Sequence, residues 1–356
     1  MLHSVIYRKE WSMSDYFINE KDFGDFLKRL VRARNVLGPK AKRGHFVFGR
    51  IENPEDLRLD YDVTILPPKK AFFPTCQDLV RFDGDQVSGC IDPVDQVLFG
   101  VHFYDVKAID MTDLLFAERG EDRNYTANRQ AATIVASSIQ SVSPRAFWGS
   151  VGKEVEPKGH DAFLTKVARG YVYQSRTPKG SALLELGKFR KAEATELEAA
   201  RKADEAVKKK CPETLKYGAA EVAKKVRAAF PDEKLWERLS ERCFSCGSCN
   251  LVCPTCYCFD VQDHWNVDQR SGARTRYWDA CLTSEFSKVS LGAGNSENFR
   301  ESRGERFRHR ILRKASYLNE KLGGPACVGC GRCAAACTAD IADPVKTIRE
   351  VMEAAS

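Results

Sequence analysis

The chain has 356 residues, 43% hydrophobic and 29% charged, a balance that excludes a disordered chain and a membrane-embedded one. The net charge of +7 is modest, and basic and aromatic residues are not interleaved, so no nucleic-acid partner is expected. No apolar run approaches the roughly 18 residues of a spanning helix. The first residues, MLHSVIYRKEWSMSDYF, lack the apolar core of an export signal, which predicts a cytoplasmic protein with no transmembrane segment.

In chain order, residues 20–34 place Phe23, Phe26, Leu27, Leu30 and Val31 at helical spacing, with a basic outer face. Strands are expected at HFVFGRI (45–51) and YDVTIL (61–66), the second stopped by Pro67 and Pro68. QVLFGVHF (96–103) reads as a buried strand. Asp105 would cap the helix after it, which carries Val106, Ile109 and Leu114. AATIVASSI (131–139) and GYVYQ (170–174) read as further strands, so residues 95–140 suggest an α/β unit. The texture changes over 181–242: residues 181–210 are rich in Ala, Glu, Lys and Leu and predict a solvated helix, and Pro212 and Pro231 punctuate the helical linker. Residues 305–324 predict a basic helix stopped at Gly323–Gly324. Its Arg303, Arg306, Arg308, Arg310, Arg313 and Lys314 form either a solvated face or a docking face for an acidic partner such as ferredoxin. Asp343 and Pro344 would open a last helix through Val345, Ile348 and Val351. Neither a G-x-G-x-x-G after a strand nor a G-x-x-x-x-G-K-[ST] occurs, so no nucleotide site is expected.

The cysteines carry the chemistry. There are 14; Cys76, Cys90 and Cys211 stand apart, and the others fall between Cys243 and Cys337. Without an export signal, metal binding is the better reading than a disulfide framework. Cys243, Cys246, Cys249 and Cys253 form one C-x2-C-x2-C-x3-C run, and Cys327, Cys330, Cys333 and Cys337 form another. This is the bacterial ferredoxin spacing for two 4Fe–4S clusters, in which the fourth cysteine of each run serves the other cluster. The expected ligand sets are therefore Cys243, Cys246, Cys249 and Cys337 for one, and Cys327, Cys330, Cys333 and Cys253 for the other. Structural zinc usually takes thiols as separated C-x2-C pairs. Pro254 follows the first run, whereas Thr338 follows the second.

The long connection between the runs reads as helix-rich. The overall expectation is an α+β chain: an N-terminal mixed α/β domain (1–180), a helical linker (181–235) and a mostly helical two-cluster ferredoxin domain (236–356). Cys256, Cys258 and Cys281 lie in the connection with His264 nearby. They are either buried thiols or ligands of an additional metal site or redox thiols.

CFSCGSCNLVCPTCYCFDVQD, RTRYWDAC and CVGCGRCAAAC together resemble the iron–sulfur β subunit of sulfhydrogenase-type cytoplasmic NiFe hydrogenases. The A subunit of anaerobic sulfite reductase and subunits of heterodisulfide-reductase-associated complexes are similar. LPPKKAFFP (66–74), LFGVHFYDVKAID (98–110) and GHDAFLTKVARGYVYQSRTPKGSALLE (159–185) extend the resemblance over most of the chain. It implies a subunit without substrate chemistry of its own. Such a subunit relays electrons between a flavin subunit that handles NAD(P)H and a catalytic subunit with another metal centre. All eight cysteines of the runs match the family's ligands. The chain departs from many relatives at Gly100–Asp105, at AFWG (146–149), where no cysteine stands, and at GAGNSENFR (292–300). Two other functions fit the residues: a sulfur or disulfide reductase acting through Cys256, Cys258 and Cys281, and a binding module whose metal is structural.

Overall fold

A computed structural model describes residues 14–118, 120–151, 158–211 and 215–354. The segment 1–13 and Pro212 lie outside the described residues. The strands that position the site are, in chain order, β1 (Ser14–Asn19), β2 (Val36–Lys42), β3 (His45–Arg50), β4 (Cys76–Asp83), β5 (Gln86–Gly89), β6 (Val97–His102), β7 (Thr133–Ser137), β8 (Ala162–Val167), β9 (Gly170–Ser175), β10 (Arg190–Lys191), β11 (Phe259–Trp265) and β12 (Ser271–Trp278).

Eight of them form one mixed sheet in the order β10-β1-β9-β8-β7-β6-β2-β3. Its centre, β8-β7-β6-β2, is parallel and its flanks are antiparallel. Every residue of β6 and β7 is buried. Such unbroken apolar runs belong to strands covered on both faces. One cover is the helix Glu20–Ala33, which starts where the Asn19 side chain accepts from the Asp22 amide at 2.9 Å. It lays Phe23, Phe26, Leu27 and Leu30 onto Val97, Phe99 and Val135. The helix Phe103–Phe116 covers the other face, packing Val106, Ile109 and Phe116 with Leu98, Val101 and Ile134. Burying each such side chain contributes roughly 1.5–3 kcal/mol. The helix expected over 20–34, the strands in 45–51, 96–103, 131–139 and 170–174, and the α/β unit all form.

Three expectations fail. Residues 61–66 make no strand, only an isolated bridge from Thr64 to Phe46. Tertiary partners take their polar groups instead: the Tyr61 hydroxyl donates to the Gly100 carbonyl at 2.8 Å, and the Thr64 carbonyl accepts from Arg332 at 2.7 Å. Asp105 is not a cap. It lies inside the first turn of its helix, buried, because its carboxylate is bound by Arg332. Most consequentially, the connection between the cysteine runs is not helix-rich. It holds the hairpin β11–β12, whose tip is fixed by Asp268 accepting from the amides of Arg270 and Ser271, each at 2.9 Å. A second small hairpin pairs Lys288–Gly292 with Asn295–Asn298.

The first hairpin adds to β4–β5 to make a four-stranded antiparallel sheet, β11-β12-β4-β5. Chain from before and after the first cysteine run is thus hydrogen-bonded together. Trp278 Nε1 donates to the Phe73 carbonyl at 3.0 Å, and buried Arg276 pairs with Asp122. The helix Ala194–Lys208 buries none of its residues, as its mixed charges predict. Helices Ala219–Ala228, Glu233–Ser240, Arg303–Leu312 and Pro344–Ala354 pack Val226, Trp236, Phe307, Leu312 and Val351 into a core that includes Cys249 and Cys333. The last helix opens as expected, with Asp343 accepting from the Val345 amide at 2.9 Å.

Candidate metal centre

The two cysteine runs fold as copies of each other. Each makes a left-handed turn before a one-turn helix: Gly247 (φ 73°, ψ −6°) precedes Ser248–Leu251, and Gly331 (φ 78°, ψ −5°) precedes Arg332–Ala335. Two residues earlier, Ser245 and Gly329 also hold positive φ, at 53° and 64°. The amide of Ser245 points at the Cys243 sulfur from 3.4 Å, and that of Gly329 at the Cys327 sulfur from 3.5 Å. Backbone amides aimed at ligand sulfur are a property of iron–sulfur loops, where they tune the centre. Glycine is required where the backbone lies closest. A Cβ on Gly331 would sit 2.4 Å from the Arg145 carbonyl oxygen, and one on Gly329 would sit 2.4 Å from the Trp148 nitrogen.

The folding-together of the runs brings the cysteines into two groups. Cys243, Cys246, Cys249 and Cys337 line one cavity, walled by Leu282 and Phe307. Cys253, Cys327 and Cys333 line another, beside Phe147, Arg310 and Lys314. Cys330 is buried against Trp148 and Val328 next to it, within electrostatic reach of Cys253 and Cys333. All cysteines are free. Among the described residues no group of three or more His, Cys, Asp or Glu is arranged to hold a single metal ion. The thiols surround spaces instead.

Burial by itself disfavours anionic sulfur at three cysteines of the inner group. Burial pushes the Cys327 thiol up to about 11, and those of Cys330 and Cys333 up to about 12. These sites hold thiolates only when positive charge replaces the proton, as a metal does. Cations are in place beside these sulfurs, two of them buried. Arg310 is 2% exposed; burial opposes its charge, but the sulfurs of Cys249, Cys333, Cys256 and Cys253 outweigh that and raise its pKa. Lys314 is also held charged against burial, by Cys253, Cys256 and Cys327, and donates to Thr255 Oγ1 at 2.7 Å. Lys69, 3% exposed, donates to the carbonyls of Cys253 (2.8 Å) and Cys256 and sits 4.3 Å over the Trp278 ring. Burial lowers its pKa to about 8, with Cys256 and Cys253 opposing.

The basic helix is therefore not the outward face that its charge suggests. Arg306 and Arg310 are buried, and Arg306 donates to the Leu282 carbonyl at 3.1 Å and to Ser245 Oγ at 3.1 Å. The i, i+4 spacing of Arg306, Arg310 and Lys314 on the side that also carries Phe307 and Ile311 was the available signal. Lys69, Asn250 and the Asp105–Arg332 pair have no such signal, since their partners are distant in sequence. His264 is exposed on β11, with Nε2 2.9 Å from the Tyr277 hydroxyl, and does not line a cavity with Cys256, Cys258 and Cys281.

Paired glycine-turned cysteine loops around two thiol-lined spaces define an iron–sulfur protein of the two-cluster kind. A family profile for 4Fe–4S dicluster domains matches residues 242–341. Across 339 residues the chain is 32% identical to the sulfhydrogenase 2 subunit beta of Pyrococcus furiosus, covering 94% of this chain and 98% of that protein. The chain belongs to this sulfhydrogenase β-subunit family and is an iron–sulfur electron-transfer subunit. No solved structure matches it. Among the described residues no helix is long and apolar enough to cross a membrane.

Proposed function

We propose that the chain relays electrons inside a cytoplasmic oxidoreductase complex through two 4Fe–4S clusters. A flavin subunit that handles NAD(P)H, or ferredoxin, stands at one end, and a catalytic hydrogenase- or reductase-type subunit at the other. Cys243, Cys246 and Cys249 with Cys337 hold the first cluster; Cys327, Cys330 and Cys333 with Cys253 hold the second. The observation that carries this reading is the exchange of fourth cysteines. Cys337 lines the cavity of the first run, and Cys253 that of the second. When bound, such clusters supply reversible one-electron storage. The protein's own part is to fix the thiolates, aim the amides of Ser245 and Gly329 at sulfur, and offset negative charge with Arg310, Lys314 and Lys69.

The first run supports a role as the entry or exit point. Cys246 is exposed and Phe244 beside it is 72% exposed, whereas Cys330 and Cys333 are buried. Anaerobically purified protein should contain iron and acid-labile sulfide in equal amounts, at least about eight of each. Its dithionite-reduced EPR spectrum should show interacting clusters. Zinc without iron after anaerobic handling would contradict the relay. In the native complex, NAD(P)H should reduce these centres only while the flavin subunit is present.

A further inference from the structure

Eight of the eleven clustered cysteines belong to the two runs. The remaining three come from two stretches of chain: Cys256 and Cys258 directly follow the first run, and Cys281 follows β12. The fold brings them to a single cavity, which Asn250, Arg310, Arg313 and Lys314 also line. Cys256 and Cys281 are 9% and 3% exposed, and Cys258 is half-buried.

We propose that Cys256, Cys258 and Cys281 hold a third iron–sulfur cluster, with a non-cysteine ligand at its remaining iron. The inference rests on the iron–sulfur reading above and extends it to a site outside both runs.

Four observations carry it. First, the three thiols surround a space, as the other two sets do, and no three of them form a single-ion site. Zinc needs its donors about 2.3 Å from one point. Second, the wall is cationic. A buried thiol that only fills core is a small neutral hydrophobe, and nothing about it offsets the cost of burying a guanidinium or an ammonium. Here buried Arg310 and half-buried Arg313 and Lys314 line the cavity of the three thiols, and Arg310 and Lys314 act on Cys256 as well as on cysteines of the two runs. A cluster bound by thiolates carries the negative charge that this wall needs.

Third, the backbone is specialised where the wall is made. The helix that ends at Leu312 continues as a π-helical stretch, Arg313–Tyr317, which contributes both Arg313 and Lys314 to the cavity. Such turns are rare and concentrate at functional sites. Fourth, the site is contiguous with both others. Asn250, next to Cys249 of the first run, donates from Nδ2 to the Cys281 sulfur at 3.1 Å and to the Cys256 sulfur at 3.6 Å. Cys256 is within electrostatic reach of Cys253, and Arg310 lines this cavity and that of Cys253. An electron on either cluster therefore has a short path to this site.

The test is iron and acid-labile sulfide per full-length chain, purified without oxygen and reconstituted with iron and sulfide. We expect about twelve irons in the unaltered protein, and about eight in the combined Cys256→Ser, Cys258→Ser, Cys281→Ser variant. The EPR spectrum of the two run-held clusters should persist in that variant. The single Cys258→Ser, at the half-exposed position, should show the same loss in milder form if the triple variant folds poorly. About eight irons in the unaltered protein would overturn the proposal whatever the variants do. One zinc per chain bound at these cysteines would also overturn it, as would a reversible Cys258–Cys281 disulfide with the iron count unchanged. An unaltered protein without iron would instead contradict the two-cluster reading, which separates the two failures.

Discussion

The two cysteine runs share a backbone fold and differ in what surrounds it. The first lies near the surface: Cys246 is exposed, Phe244 projects into solvent, and a Cβ on Gly247 would meet only side chains, those of Ala280 and Thr283. The second is pressed into the N-terminal half. Gly329 and Gly331 touch backbone at 145–148, Phe147 donates its amide to the Gly329 carbonyl at 2.8 Å, and Val328 is buried with Trp148. Between Cys330 and Cys333, Arg332 reaches Asp105 with two bonds of 2.6 and 2.7 Å, and that pair is almost fully buried. One loop motif thus serves an exposed position suited to exchange with a partner and an inner position anchored by the large sheet. The lesson is that the N-terminal half is part of the cluster housing.

The sharpest way to break this comparison is to break the anchor. Arg332→Met leaves Asp105 buried without its cation, a class of change that costs about 3–5 kcal/mol. Chemical denaturation should show that loss, and iron should leave the second site while the first keeps its signal. Equal loss from both sites would mean that the anchor is not specific to the second run. A smaller effect separates the glycines. Both hold φ angles that cost an L-residue roughly 1–2 kcal/mol. Gly331→Ala also drives its Cβ into the Arg145 carbonyl, 2.4 Å from its oxygen and 2.6 Å from its carbon, whereas Gly247→Ala crowds one close side-chain atom, the Ala280 Cβ at 2.5 Å, and no backbone atom. Iron retention should fall further for Gly331→Ala, and the reverse order would contradict the packing difference.

The mildest probe is charge. Lys314→Met removes one half-buried positive charge from the wall of the second site. Such a charge near a buried centre is worth on the order of 2 kcal/mol at an effective dielectric of 20. For one electron that is on the order of 80 mV, and the second cluster's potential should fall by that much. Redox titration followed by EPR should find the first cluster less affected. The sign follows from the added electron being negative, so losing a nearby cation disfavours reduction.

Much of the site was legible because iron–sulfur ligation is local in sequence. The spacing of Cys243 to Cys253 and of Cys327 to Cys337 marks the candidate ligands without any fold. The buried strands β6 and β7 were equally plain, since VLFGVH and TIVAS have little polar character to place elsewhere. What could not be read depends on long-range pairing. YDVTIL has strand-like alternation, yet Tyr61 and Thr64 spend their polar groups on Gly100 and Arg332. Asp105 has the position of a cap and a partner more than two hundred residues away. The connection between the runs reads as helix-rich but forms the hairpin β11–β12, which pairs with the earlier strand β4, a partner the local sequence does not reveal. Charge on the 303–314 helix was read as outward because exposure is the usual fate of arginine. The buried thiols that hold Arg310 inside come from other segments of the chain.

The central claim is that each cluster site takes three cysteines from one run and the fourth from the other. Three single variants test it most directly: Cys337→Ser, Cys246→Ser and Cys330→Ser, compared by EPR of the reduced protein. Cys337 stands in the second run by sequence and in the first cavity by geometry. The account predicts that Cys337→Ser loses the same signal as Cys246→Ser and keeps the one lost in Cys330→Ser. A Cys337→Ser spectrum matching that of Cys330→Ser would show that each run closes its own cluster, and would contradict the crossed arrangement.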